Sequence, residues 1–303
     1  MSLRRFLKVS AWTLGSILIL IALIVGCGWW YLHPDATRQN ALVYGQRDGK
    51  DLTFDILRPI HPNGAAVLLM VSGGWKSGRE KFNPWMVAPL TRRGYTVFAV
   101  SHISQPKSTI MDISQDVRRA VRFIRHHAKD YGIDPQRIGV TGGSSGGHLS
   151  LMIATRGAEP ASTPVDPVDQ ESGAVQAVAI FYPVTDLINL GSSTENLGDG
   201  GPPKSFVKGF GPQATNLAVW KVIGRETSPI FHIQSNLPPT LIIHGSSDTL
   251  TPLDQSERFQ AAARSVGRTV DLIIRPGKGH GWPTMVFDIR LLADWFDRHL
   301  AQH

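Results

Sequence analysis

GVTGGSSGGHLS, residues 139–150, holds five glycines and three serines beside one histidine. Such a stretch could serve as a flexible linker, a phosphate cradle, or a turn that thrusts one serine outward. Its neighbours decide. RIGVTGG (137–143) reads as an apolar strand running into it, and HLSLMIATRG (148–157) reads as a helix leaving it. Gly143-Ser144-Ser145-Gly146-Gly147 fits the pattern G-x-S-x-G with Ser145 at its centre. A sharp strand-to-helix turn needs small neighbours, because it brings backbone segments together and strains the central residue. Ser145 would then stand at a helix N-terminus, where free N–H groups favour developing negative charge, and the N–H of Gly146 would be one oxyanion donor. The phosphate cradle is the weaker reading. No Lys-Ser/Thr follows the glycines, and no G-x-G-x-x-G with a later ribose-binding acid is present.

A serine hydroxyl is a poor nucleophile alone and needs a base held by an acid. On an elbow of this kind the chain order is Ser, acid, His, each at a strand's C-terminal end. The strand PTLIIHG (239–245) is followed by Asp248, and the strand VDLIIRPG (270–277) by His280, set between two glycines. These two are the expected acid and base. His148 is expected to pack or hydrogen-bond beneath the turn, and His244 to fix the acid loop; Asp186 is the rival acid. The second oxyanion donor is expected from Gly73 or Gly74, in the loop after the strand AAVLLMVS (65–72). Trp75 and His102 are expected to line the substrate pocket.

The chain's 303 residues are 42% hydrophobic and 18% charged, which suits a large α/β domain with a deep core. One cysteine gives neither an internal disulfide nor a ligand cluster, and neither a metal nor a cofactor is expected. The net charge of +7 is spread without Lys/Arg runs, so no nucleic-acid partner is expected. Apolar runs and helical patterns alternate, the mark of βαβ units and a mostly parallel central sheet flanked by helices. DISQDVRRAVRFIRHHAKDYG (112–132) reads as one helix, with Asp112 as N-cap and Gly132 as stop. Two stretches break the rhythm: a Pro- and acid-rich surface loop over 157–173, and a long insertion over 188–226 that reads as a small cap. At the N-terminus, residues 9–32 carry no charge and follow Arg4, Arg5 and Lys8, while Trp29, Trp30 and Tyr31 fall where an interfacial belt would lie. Residues 1–33 therefore read as a membrane anchor, with residues 34–303 as one domain outside the cytoplasm. The alternatives are a lipoprotein modified at Cys27 and a cleaved signal peptide.

With these residues assigned, the chain resembles the α/β-hydrolase superfamily over residues 42–300, and within it the bacterial feruloyl/acetyl-xylan esterase-like group. YGIDPQRIGVTGGSSGGHLS is similar to that group's nucleophile segment, SPIFHIQSNLPPTLIIHGSSDTLTPLDQSERF to its acid segment, and GKGHGW to its histidine loop. The resemblance implies ester hydrolysis through an acyl-enzyme, a small-molecule ester substrate and no cofactor. One departure stands out. The group usually carries His-Gly-Gly-Gly-Trp at the oxyanion loop, and here the stretch is Val71-Ser72-Gly73-Gly74-Trp75. Two other readings are a peptidase related to the prolyl oligopeptidases, whose propeller domain has no room in this length, and a non-catalytic binding module.

Overall fold

The computed structural model of the chain describes residues 3–161, 164 and 166–301. Eight strands form one sheet: β1 (Ala36–Arg47), β2 (Lys50–Pro59), β3 (Ala66–Met70), β4 (Thr96–Val100), β5 (Ile138–Gly143), β6 (Ala177–Phe181), β7 (Thr240–Gly245) and β8 (Val270–Arg275). Their spatial order is β1-β2-β4-β3-β5-β6-β7-β8. β2 runs antiparallel to both its neighbours, and the six strands from β4 to β8 are mutually parallel. This is the α/β-hydrolase architecture. β4 and β6 are buried at every residue, as a parallel sheet covered on both faces requires.

The helices are α1 (Leu3–Leu32), α2 (Ala88–Arg92), α3 (Ile110–His126), α4 (Ala128–Tyr131), α5 (Ser145–Arg156), α6 (Leu217–Glu226), α7 (Asp254–Ser265) and α8 (Met285–His299). α3, α5 and α7 cover one face, burying Ile113, Val117, Leu149 and Phe259. α2 and α8 cover the other, burying Leu90, Ile289, Leu292 and Phe296. The helix expected over 112–132 is corrected at its start and near its end. Thr109 is the N-cap, its hydroxyl accepting from the Asp112 N–H at 3.1 Å, so Asp112 sits one turn inside as the capping-box partner. His127 interrupts the helix before Gly132 ends it in the left-handed region, at φ 62°.

Two strands, β1 and β2, are not among those read from the sequence. Asp48 and Gly49 join them with φ of 51° and 71°, the left-handed pair that a two-residue hairpin turn demands. β1 is mostly exposed, so it lacks the apolar signal. Over 188–226 the chain forms turns, a 3₁₀ turn at Val207–Phe210, and α6. Phe206 and Phe210 meet the Trp75 ring edge-on at 5.2 and 6.0 Å, which seats this segment on the loop after β3. Within α1, Leu14–Leu32 is long and apolar enough to cross a membrane, and none of it is buried. Its 19 residues span about 29 Å, against roughly 30 Å for a hydrocarbon core. Arg92 of α2 stacks 3.9 Å from the Trp30 ring and donates to the carbonyls of Trp30 and Tyr31.

Candidate active site

The turn between β5 and α5 is an elbow, and its apex is Ser144, one residue before the one expected. Ser144 has φ 55° and ψ −122°, a conformation that costs a side-chain-bearing residue about 1–3 kcal/mol. Ser145 is already the first residue of α5 and is buried. The glycines explain the shift. A Cβ at Gly142 would stand 2.7 Å from the backbone carbonyl of Gly146, and a Cβ at Gly146 would stand 2.7 Å from the Met70 carbonyl oxygen of β3. The turn therefore uses the overlapping pattern Gly142-Gly143-Ser144-Ser145-Gly146. At Gly143 the nearest atom is the Tyr182 hydroxyl, at 3.2 Å.

Ser144 Oγ lies 2.9 Å from His280 Nε2, and His280 Nδ1 lies 2.8 Å from Asp248 Oδ2. A carboxylate only accepts, so Nδ1 carries the proton and Nε2 is free to accept from the Ser144 hydroxyl. The loops bearing acid and imidazole are joined by backbone bonds. Ser246 N–H donates to Arg275 O at 3.0 Å and Ser247 N–H to Lys278 O at 2.8 Å. Gly245 admits this approach, since a Cβ there would stand 2.3 Å from the Lys278 carbonyl oxygen. Burial pushes the Asp248 carboxyl up, but His244, His280 and the Thr251 N–H outweigh it and hold it well below the usual carboxylate range. The rival acid Asp186 turns elsewhere, accepting from the N–H groups of Ile188 and Asn189 and pairing with Arg258.

The three N–H groups expected as oxyanion donors stand in different surroundings. With Ser144 at the apex, the residue after it is Ser145, whose N–H opens α5 where Gly146 was expected to serve. The Gly73 N–H is taken by the Lys76 carbonyl at 3.0 Å. Gly74 has φ 57°, and its N–H meets no acceptor among the described residues.

Ser145 and His102 belong to a second chain of bonds. His102 Nδ1 lies 3.0 Å from the Ile103 carbonyl, which can only accept, so Nε2 is the acceptor for Ser72 Oγ at 2.9 Å. Ser72 Oγ in turn lies 3.1 Å from Ser145 Oγ, whose proton is thereby directed away from His280. Burial pushes the His102 imidazole down to about 4. It has a carbonyl behind it in place of a carboxylate, so no anion stabilises its protonated form. It also lies behind Ser72, off the cavity wall, which corrects the expectation that it faces substrate. Trp75 does face the cavity, but its indole N–H donates to His148 Nδ1 at 3.1 Å, and His148 Nε2 donates to the Thr227 carbonyl at 2.7 Å. His244 is held by Ser256 Oγ and the Thr251 carbonyl, each at 2.7 Å.

Sequence reasoning missed Tyr182 as well as Ser144 and Ser72. The Tyr182 ring centre lies 4.6 Å from that of His280, and burial with the nearby Asp248 charge pushes its hydroxyl up to about 12. A cavity of about 570 Å³ opens at Ser144 and His280 and extends between α2 and α8 on one side and beneath residues 187–206 on the other.

Comparison with known proteins gives concordant relatives. Residues 54–263 match the model of the BD-FAE family. The chain is 31% identical over 243 residues to the probable carboxylic ester hydrolase LipM of Mycobacterium tuberculosis, covering 78% of this chain and 54% of LipM. It is 30% identical over 256 residues to esterase LipQ of the same organism, covering 82% and 58%. The chain thus spans about half the length of the curated relatives it matches. Among solved structures, the butyrate-bound Est2 esterase of the planctomycete Thermogutta terrifontis superposes with a TM-score of 0.67 and 26% identity, covering 88% of this chain and 95% of that one.

Proposed function

The chain belongs to the BD-FAE family, and from that premise we propose that it is a serine hydrolase cleaving small or medium carboxylic esters. The observation that carries this reading is the unbroken chain Ser144–His280–Asp248 at the apex of a strained elbow. Ser144 Oγ attacks the ester carbonyl as its proton passes to His280 Nε2. Asp248 stabilises the imidazolium that forms and keeps the ring in its tautomer. The N–H groups of Ser145 and Gly74 receive the oxyanion, and each such donor lowers the barrier by about 3 kcal/mol. Collapse of the tetrahedral intermediate breaks the ester C–O bond, and His280 returns its proton to the departing alcohol. Water, deprotonated by His280, then attacks the acyl-enzyme and releases the acid.

In this reading residues 1–33 are the membrane anchor, residues 34–303 the catalytic domain, and residues 188–226 a cap over the site. Arg4, Arg5 and Lys8 hold the N-terminus on the cytoplasmic side, so the catalytic domain works on the other. The full chain in detergent should hydrolyse p-nitrophenyl butyrate, and Ser144→Ala should lower turnover at least about 10³-fold. Hydrolysis untouched by that substitution rejects the assignment.

A further inference from the structure

We infer that the ester this enzyme takes carries a medium-length alkyl chain and no sugar, a reading that rests on the serine-hydrolase function proposed above. One arm of the cavity leads from Ser144 between two apolar walls: Phe82, Val87 and Leu90 on one side, and Met285, Ile289 and Leu292 of α8 on the other. The chain just after α2 is tied to α8 where Arg93 and Tyr95 bond to Asp297 at 2.6 and 2.9 Å.

Several of the polar side chains around the cavity are already committed. Apart from His280, the charged residues of its wall, among the described residues, are Lys81 and Glu195. Lys81 Nζ donates to the Lys76 carbonyl at 3.3 Å, and the Glu195 carboxylate accepts from the Ser205 N–H and hydroxyl at 2.8 and 3.0 Å. The Gln255 amide is saturated: its oxygen accepts from Thr185 and Asp186, and its nitrogen donates to the Asp186 and Asn189 carbonyls. Ser193 Oγ donates to the Leu250 carbonyl and Ser72 Oγ to His102. A sugar brings several hydroxyls, each costly to bury unpaired, and Gln255, Ser193 and Ser72 have little left to offer them. An alkyl chain asks only for apolar wall.

The test is a pair of homologous series on the full chain in detergent. One lengthens the acyl group from p-nitrophenyl acetate through butyrate and octanoate to decanoate. The other lengthens the alcohol from ethyl through butyl to octyl acetate, with acid release followed by titration. Acetylated xylo-oligosaccharides and methyl ferulate complete the panel. Each methylene that enters the arm should raise kcat/KM by about fourfold, which is the ~0.8 kcal/mol of a buried methylene, until the arm is full. The rise should occur along one series, which tells whether the arm takes acyl group or alcohol. Ile289→Trp and Leu90→Phe, on opposite walls, should each collapse the long-to-short ratio toward one. Flat or falling profiles in both series, or sugar acetates outrunning ethyl acetate, would overturn the inference while leaving the hydrolase intact. Absence of all hydrolysis together with absence of fluorophosphonate labelling would instead remove the reading on which it rests.

Discussion

Adding a single methyl group to the elbow separates its two overlapping G-x-S-x-G patterns. In Gly142→Ala the new Cβ would stand 2.7 Å from both the carbonyl carbon and the oxygen of Gly146, where ordinary contact begins at 3.4 Å. Both obstructing atoms are backbone in the first turn of α5, so no side chain can swing aside. The turn must move away from β5, and Ser144 moves with it. Overpacking of this kind costs about 1–3 kcal/mol, which in a domain of this size lowers Tm by roughly 2–12 °C. A displacement of about 1 Å at the nucleophile costs roughly 10²-fold in rate. In Gly143→Ala the Cβ would meet only the Tyr182 side chain, its hydroxyl at 3.2 Å and two ring carbons at 3.4 Å, which need yield no more than a few tenths of an ångström. That variant should lose under about 1 kcal/mol. Calorimetry beside kcat/KM for p-nitrophenyl butyrate measures both. A crippled Gly143→Ala with a Gly142→Ala like the parent would return the apex to Ser145.

Ser145→Ala keeps the backbone N–H and removes only the hydroxyl bonded to Ser72. It should cost about 1 kcal/mol of stability and leave kcat/KM within about tenfold, as steady-state kinetics would show. Asp248→Asn keeps the shape of the acid but not its charge, and should lower kcat roughly 10³–10⁴-fold; a loss under tenfold would deny the carboxylate its role. Stability should also depend on pH. Burial pushes both His102 and His148 down to about 4, below their unfolded value of about 6.5. The unfolded chain therefore binds more protons between those values, so stability is full above about pH 6.5 and falls as pH drops toward 4. The loss reaches up to about 3 kcal/mol for each ring. A urea midpoint that stays level from pH 7 to pH 4.5 would contradict this.

The central sheet was legible because its strands are short, apolar and punctuated by glycine. AAVLLMVS, PTLIIHG and, at residues 95–101, YTVFAVS are apolar runs of the length of a strand buried on both faces. The β1–β2 hairpin lacked that mark, and its one local signal was Asp48-Gly49, a left-handed turn pair. The acid and histidine segments could be read because each follows a recognisable strand. The apex serine could not be read from pattern alone, since four glycines satisfy two registers one residue apart. What decides between them is long-range: the Ser144 N–H bonds to the Phe181 carbonyl at 3.1 Å, and α5 packs its Gly146 against Met70. The role of His102 was hidden for the same reason. Only the fold brings Ser72 between that ring and Ser145.

The most decisive experiment is to label the full chain with a fluorophosphonate, digest it with trypsin and fragment the peptide running from Ile138 to Arg156, which contains both serines. The bond between residues 144 and 145 separates the two assignments in the fragment ladder. An adduct carried by every fragment that includes Ser144, and by none that begins at Ser145, is the result expected here. An adduct on Ser145, or none on this peptide, would contradict it.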